Sequence, residues 1–91
     1  MFIISGGRGI GKTKMLLERA KAEGGVVVCR EPEIMRARAH KYGITGLEII
    51  SYGDLYDNRE ISEEKPVYIH DVNKFITFNF PEVTGYTVCN E

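Results

Sequence analysis

Gly6-Gly7-Arg8-Gly9-Ile10-Gly11-Lys12-Thr13 is the stretch on which the reading of this chain turns. Before it stands a continuous apolar run, Phe2-Ile3-Ile4-Ser5, of the kind that forms a strand covered on both faces. After it, from Lys12 to Glu23, Met15, Leu16, Ala20 and, at the margin, Leu17 make one apolar stripe, with Lys14, Glu18, Arg19 and Lys21 opposite. That period predicts a helix. A turn that wraps phosphate groups must aim its backbone N–H groups inward, through dihedrals that glycine reaches without a Cβ clash. The helix behind such a turn offers the positive end of its dipole. At the spacing G-x-x-x-x-G-K-T, Lys12 brings a positive charge to the outer phosphates, and the Thr13 hydroxyl a ligand for the accompanying Mg²⁺. Gly6, Gly7, Arg8, Gly9, Ile10, Gly11, Lys12, Thr13 and Lys14 are therefore the candidate nucleotide-binding residues. For Arg8 the plainer reading is a side chain projecting to solvent.

Outward from this turn the pattern alternates. Gly24 and Gly25 supply the left-handed conformation that ends a helix. Val26 to Cys29 is a short β-branched strand, and Glu31-Pro32 opens a helix that runs to about Tyr42 and stops at Gly43. Leu47 to Ser51 reads as a third strand, Asp54 to Tyr56 as a helical or turn segment, and the polar stretch Asp57 to Lys65 as a loop. Val67 to Ile69 is a fourth strand, residues 71–78 a short helix, and Tyr86 to Cys89 a fifth strand. Strands alternating with helices imply parallel units with right-handed crossovers. The expectation is one domain over residues 1–91, α/β in three layers, around a short, mostly parallel five-stranded sheet.

Composition narrows the rest. Apolar residues at 43% and charged ones at 27% are ordinary for a globular chain and exclude disorder. No apolar run reaches eighteen residues, so no membrane-spanning helix is predicted. The opening MFIISGG lacks the basic segment of a signal peptide, and Cys29 and Cys89 show no metal-ligand spacing. Two reduced thiols on buried strands and a cytoplasmic location are expected. A net charge of -1 gives no global basic field for nucleic acid. Arg36, Arg38, His40 and Lys41 could meet a nucleic-acid backbone, but a solvated helix face is the preferred reading.

A second acidic site is sought at the end of a strand, and Val67-Tyr68-Ile69-His70-Asp71 is the good candidate. With FIISGGRGIGKT, EGGVVVCREP, LEIISYGDLYD, VYIHDVNKF and GYTVCNE, the chain resembles the ASCE division of P-loop ATPases, which includes AAA+ and RecA-like proteins. It is especially similar to small P-loop proteins of bacteriophages. Only the first of these segments is a specific motif. The resemblance implies a P-loop NTPase-like fold and ATP with Mg²⁺. It also implies ATPase activity that is weak or partner-stimulated, serving phage DNA metabolism or packaging, within a homo-oligomer or a larger replication or packaging assembly. Catalytic roles would fall to Lys12 and Asp71, and metal ligation to Thr13 and Asp71.

In that division the acidic strand commonly ends in two carboxylates, whereas here it ends His70-Asp71. In one register Asp71 meets Mg²⁺ and Val72 replaces the water-activating acid. In the other, His70 takes the metal position and Asp71 activates water. Capping of the following helix is a competing role for Asp71, and a hydrogen bond to backbone is the plainer reading of His70. Asn90 matches a γ-phosphate-sensing position by resemblance. Arg30, Arg36, Arg38 and Arg59 stand unranked as residues that could reach a neighbouring subunit's site. Two other function classes remain, a nucleotide-dependent binding module without turnover and a small kinase.

Overall fold

The computed structural model describes residues 11–58 and 60–87. The expected first strand, residues 2–5, lies outside these, as do Gly6 to Ile10, Arg59 and Val88 to Glu91. Helix α1 spans Lys12–Glu23, strand β1 Val26–Cys29, helix α2 Pro32–Lys41 and strand β2 Glu48–Ser51. Helices α3 (Tyr52–Asp57) and α4 (Glu60–Glu64) then lead to strand β3 (Val67–Ile69) and helix α5 (Val72–Asn79).

Local chemistry sets most of these boundaries. Gly24, at φ 67°, takes the left-handed conformation that ends α1, and its N–H meets the Ala20 and Lys21 carbonyls. Gly25 has a different task from the one expected. A Cβ there would lie 2.6 Å from the Pro66 carbonyl oxygen and 2.7 Å from the Tyr68 ring, so only glycine lets the chain pass. Pro32 stands in the first turn of α2, where its missing N–H costs nothing. Ser51 and Asp54 close a reciprocal capping box at α3, with Asp54 N donating to Ser51 Oγ at 3.1 Å and Ser51 N to Asp54 Oδ2 at 3.2 Å.

The sheet corrects the expected architecture. The described residues form three parallel strands in the order β2-β1-β3, not a five-stranded sheet, and the arrangement does not identify a P-loop NTPase-like fold. Val27 is in register with Ile49 on one side and Tyr68 on the other, so β1 is the central strand. The expected last strand has no counterpart at Tyr86 and Thr87, and its remaining residues lie outside the described range. Tyr86 stays 47% exposed, and a strand of a parallel sheet needs both faces covered. The stretch Asp57 to Lys65 is likewise not all loop. It holds α4, whose glutamates favour helix and whose Ile61 is half-buried.

Side-chain alternation divides the layers. On one face Leu17 and Ala20 of α1 and Met35 and Ala39 of α2 close over Val27, Cys29 and Ile49, with Tyr68 beside them. Leu17, the marginal member of the expected stripe, is fully buried, while Met15 is 47% exposed. Burying a leucine side chain stabilises by about 1.5–3 kcal/mol. The connection from β2 back past β1 to β3 runs opposite to that from β1 to β2, so right-handed crossovers put α3 on the other face. There Tyr52 meets the Phe75 ring edge-on at 5.4 Å and the Phe78 ring at 6.0 Å.

Candidate functional site

Because α1 runs into β1 and packs on β1 and β3, its first turn comes to the carboxyl ends of the strands. That is where ligands of open parallel sheets bind. Gly11 precedes the helix at φ 75°, a left-handed conformation that a side chain would strain, and no side chain caps the helix there. The first-turn N–H groups of α1 thus begin at the lysine and threonine that close the glycine-rich motif. Lys12 and Thr13 are half-buried. Lys14 is exposed, with its ammonium 5.9 Å from the centre of the Tyr42 ring. Gly6, Gly7, Arg8, Gly9 and Ile10 lie outside the described residues, as does Asn90.

The structure brings Thr13 to the end of β3. Thr13 Oγ1 and His70 Nε2 share a hydrogen bond of 3.2 Å, across 57 residues of sequence. The His70 backbone N–H donates to the Val28 carbonyl at 2.8 Å, extending the β1–β3 ladder by one residue. Burial lowers the His70 pKa below its ordinary 6.5. Neighbouring Asp71 opposes that shift, and the charges of Arg38, Lys74 and Lys12 add to it. Imidazole is therefore neutral here at pH 7, with one nitrogen free to accept.

Asp71 turns away into its own helix. It caps α5, accepting from Lys74 N at 3.3 Å, and its Oδ2 lies 3.8 Å from Lys74 Nζ. Its φ of 61° makes it the one positive-φ residue other than glycine among the described residues. Asp tolerates that conformation better than most residues, at a cost of about 1–2 kcal/mol.

Tyr52 fixes this corner and was not legible as a site residue. Its hydroxyl donates to the His70 carbonyl at 2.6 Å and lies 3.1 Å from the Asp71 carbonyl, so one buried side chain holds both peptide units. Burial, with the Asp71 charge adding to it, pushes the phenol up to about 12, and it remains a donor. The only local signal was Ser51-Tyr52-Gly53-Asp54, which marks the capping box. Its partners lie 18 and 19 residues away.

Other expected residues are elsewhere. Arg36 is committed to the Ile49 carbonyl at 3.0 Å. An open cleft of about 470 Å³ lies over the start of α2, lined by Glu31, Pro32, Glu33, Ile34 and Arg36. With two carboxylates on its wall it suits an anion poorly, so the residue chemistry at Lys12, Thr13 and His70 is the better guide. Cys29 is a free, buried thiol whose pKa burial raises, and Cys89 lies outside the described residues. No described helix is long and apolar enough to cross a membrane.

No family model matches this chain, and neither does any curated protein or solved structure.

Proposed function

We propose that the chain binds a nucleoside triphosphate, with ATP as the expected nucleotide, seating its phosphates on the first turn of α1. The observation that carries this reading is the Thr13–His70 contact, which joins the Gly-Lys-Thr end of the phosphate motif to the strand end nominated as the second half of the site. Lys12 supplies positive charge at the same corner, where His70 senses it.

The metal chemistry follows from the donors. Among the described residues no group of three or more His, Cys, Asp and Glu could hold an ion alone. The set fits Mg²⁺ that arrives on the phosphates, keeps several waters and takes the Thr13 hydroxyl as a protein ligand. Imidazole is a poor ligand for so hard a cation. Of the two registers, the contact supports the one with His70 at the metal position and Asp71 as the candidate water-activating acid. Turnover is then slow unless a partner stimulates it. The capping role of the Asp71 carboxylate specifically favours a second reading, nucleotide binding without turnover.

Calorimetric titration with ATP and AMP, followed by a phosphate-release assay, tests the proposal. ATP should bind more tightly than AMP, because the outer phosphates carry the contacts. Lys12→Ala should weaken ATP binding about 10- to 150-fold, the loss of one charge-assisted hydrogen bond at about 1.5–3 kcal/mol. Equal affinity for ATP and AMP, or an unaffected Lys12→Ala variant, would remove the phosphate reading.

A further inference from the structure

The near-zero net charge conceals a strong partition. Residues 1–46 hold nine Lys and Arg against four Asp and Glu, a net of +5, and residues 47–91 hold three against nine, a net of -6. The two sums recover the chain's -1. In the fold this division becomes spatial. The basic part supplies α1 and α2 on one face of the sheet, and the acidic part supplies α3 and α4, whose crossover lies over the other, and α5, which packs on α3.

Each outer layer also exposes large apolar side chains among its charges. On α2, Ile34, Arg38 and Lys41 fall at i, i+4 and i+7 and so share one face, with Ile34 54% exposed. On the acidic layer Phe78 is 59% exposed, and Phe80, Val83 and Tyr86, in the segment that follows it, are exposed as well. Helix α5 contains no fully buried residue, although Val72, Phe75, Ile76 and Phe78 are four of its eight. Apolar side chains grouped in this way mark an interaction surface rather than scattered exposure.

We infer that these two layers are the halves of one contact, and that the occupant of the acidic, aromatic layer is the basic α1–α2 layer of a second copy of this chain. Charge complementarity selects that occupant. Opposite fields attract and orient the copies, and like layers repel. Because the two surfaces differ, the contact is head-to-tail and leaves a free half at each end, so assembly proceeds past the dimer to a ring or an open string. The inference is independent of nucleotide binding.

The test is the mass of the full chain by sedimentation or light scattering, over a range of concentrations and salt. At low salt the mass should rise with concentration past twice the monomer's 10.3 kDa. Raising salt from about 0.02 M to about 0.5 M should weaken association tenfold or more, as the fields are screened. Two double variants, checked for folding by circular dichroism, locate the surfaces. Ile34→Asp/Lys41→Glu spoils the basic half and Glu60→Lys/Phe78→Lys the acidic half, so each variant alone should be monomeric. Mixed, each retains the half that the other lacks, and they should form a 1:1 dimer that grows no further. A wild type monomeric at every concentration at low salt overturns the inference. So does an associating wild type whose variants still self-associate, or a monomer whose basic layer captures a single-stranded oligonucleotide instead.

Discussion

Thr13 Oγ1 and His70 Nε2 meet at 3.2 Å, which ties the first turn of α1 to the end of β3. Neither residue is placed by its own element alone. Thr13 is there because α1 packs on β1 and β3, and His70 because its N–H continues the ladder to Val28. The corner proposed to bind phosphate is thus built by tertiary packing, and its parts can be perturbed one at a time.

Tyr52→Phe removes the hydroxyl that spans the His70 and Asp71 carbonyls while keeping the ring against Phe75. The His70 carbonyl loses this donor while the Asp71 carbonyl keeps its bond from Phe75 N at 3.1 Å, and one lost hydrogen bond costs about 0.5–1.5 kcal/mol. For a domain of this size that lowers the melting temperature by about 4–8 °C per kcal/mol, measurable by a thermal melt. ATP affinity should fall as well, since the strand end that carries His70 is loosened.

Asp71 separates capping from chemistry. Asp71→Ala loses the cap to Lys74 N and puts a non-glycine residue with no capping group at φ 61°, which should cost about 1–2 kcal/mol in a denaturant melt. Asp71→Asn keeps a capping oxygen and tolerates the left-handed conformation, so it should stay near wild-type stability. If Asp71 activates water, the Asn variant loses phosphate release at unchanged ATP affinity. If it only caps, both are retained.

His70 predicts a pH dependence. Its folded pKa lies below 6.5, so between those two values the unfolded chain binds more protons than the folded one. Stability from this group is therefore fully present above about pH 6.5 and is lost progressively as pH falls through the lowered folded pKa. Denaturant melts between pH 5 and 8 should show a plateau above 6.5 and a decline below it. His70→Gln, which cannot take up that proton, should reduce the decline.

Gly25→Ala tests the close approach at the bottom of the sheet. The added Cβ would fall within 3 Å of the Pro66 carbonyl oxygen and the Tyr68 ring, and the carbonyl belongs to backbone that accepts from Val26 N at 2.9 Å. Overpacking of this kind costs about 1–3 kcal/mol. The loss should appear in a thermal melt with nucleotide affinity little changed, because the contact is at the far end of α1 from Thr13.

The residues that announced themselves in the sequence did so through local rules. The helix stop at Gly24, the buried valines of β1 and the Pro32 start of α2 all follow from neighbouring residues. Strand order does not, because nothing in the period of Val26 to Cys29 says that this strand takes neighbours on both sides. Helix α4 was hidden because Ile61 is the only apolar residue in it, too few to show a stripe. At the site, Thr13 and His70 were each legible as candidates, one by motif and one by strand end. Their hydrogen bond, and Tyr52's hold on the His70 and Asp71 carbonyls, depend on the strand pairing and could be seen only in the fold.

The most direct measurement is the set of NMR chemical-shift changes on titrating ATP with Mg²⁺ into the labelled chain. The largest changes should fall on the amides of Gly11, Lys12 and Thr13 and on the His70 ring, and should be absent in Lys12→Ala. Changes centred on the cleft at the start of α2, or no saturable change at these four residues, would contradict the proposed nucleotide binding.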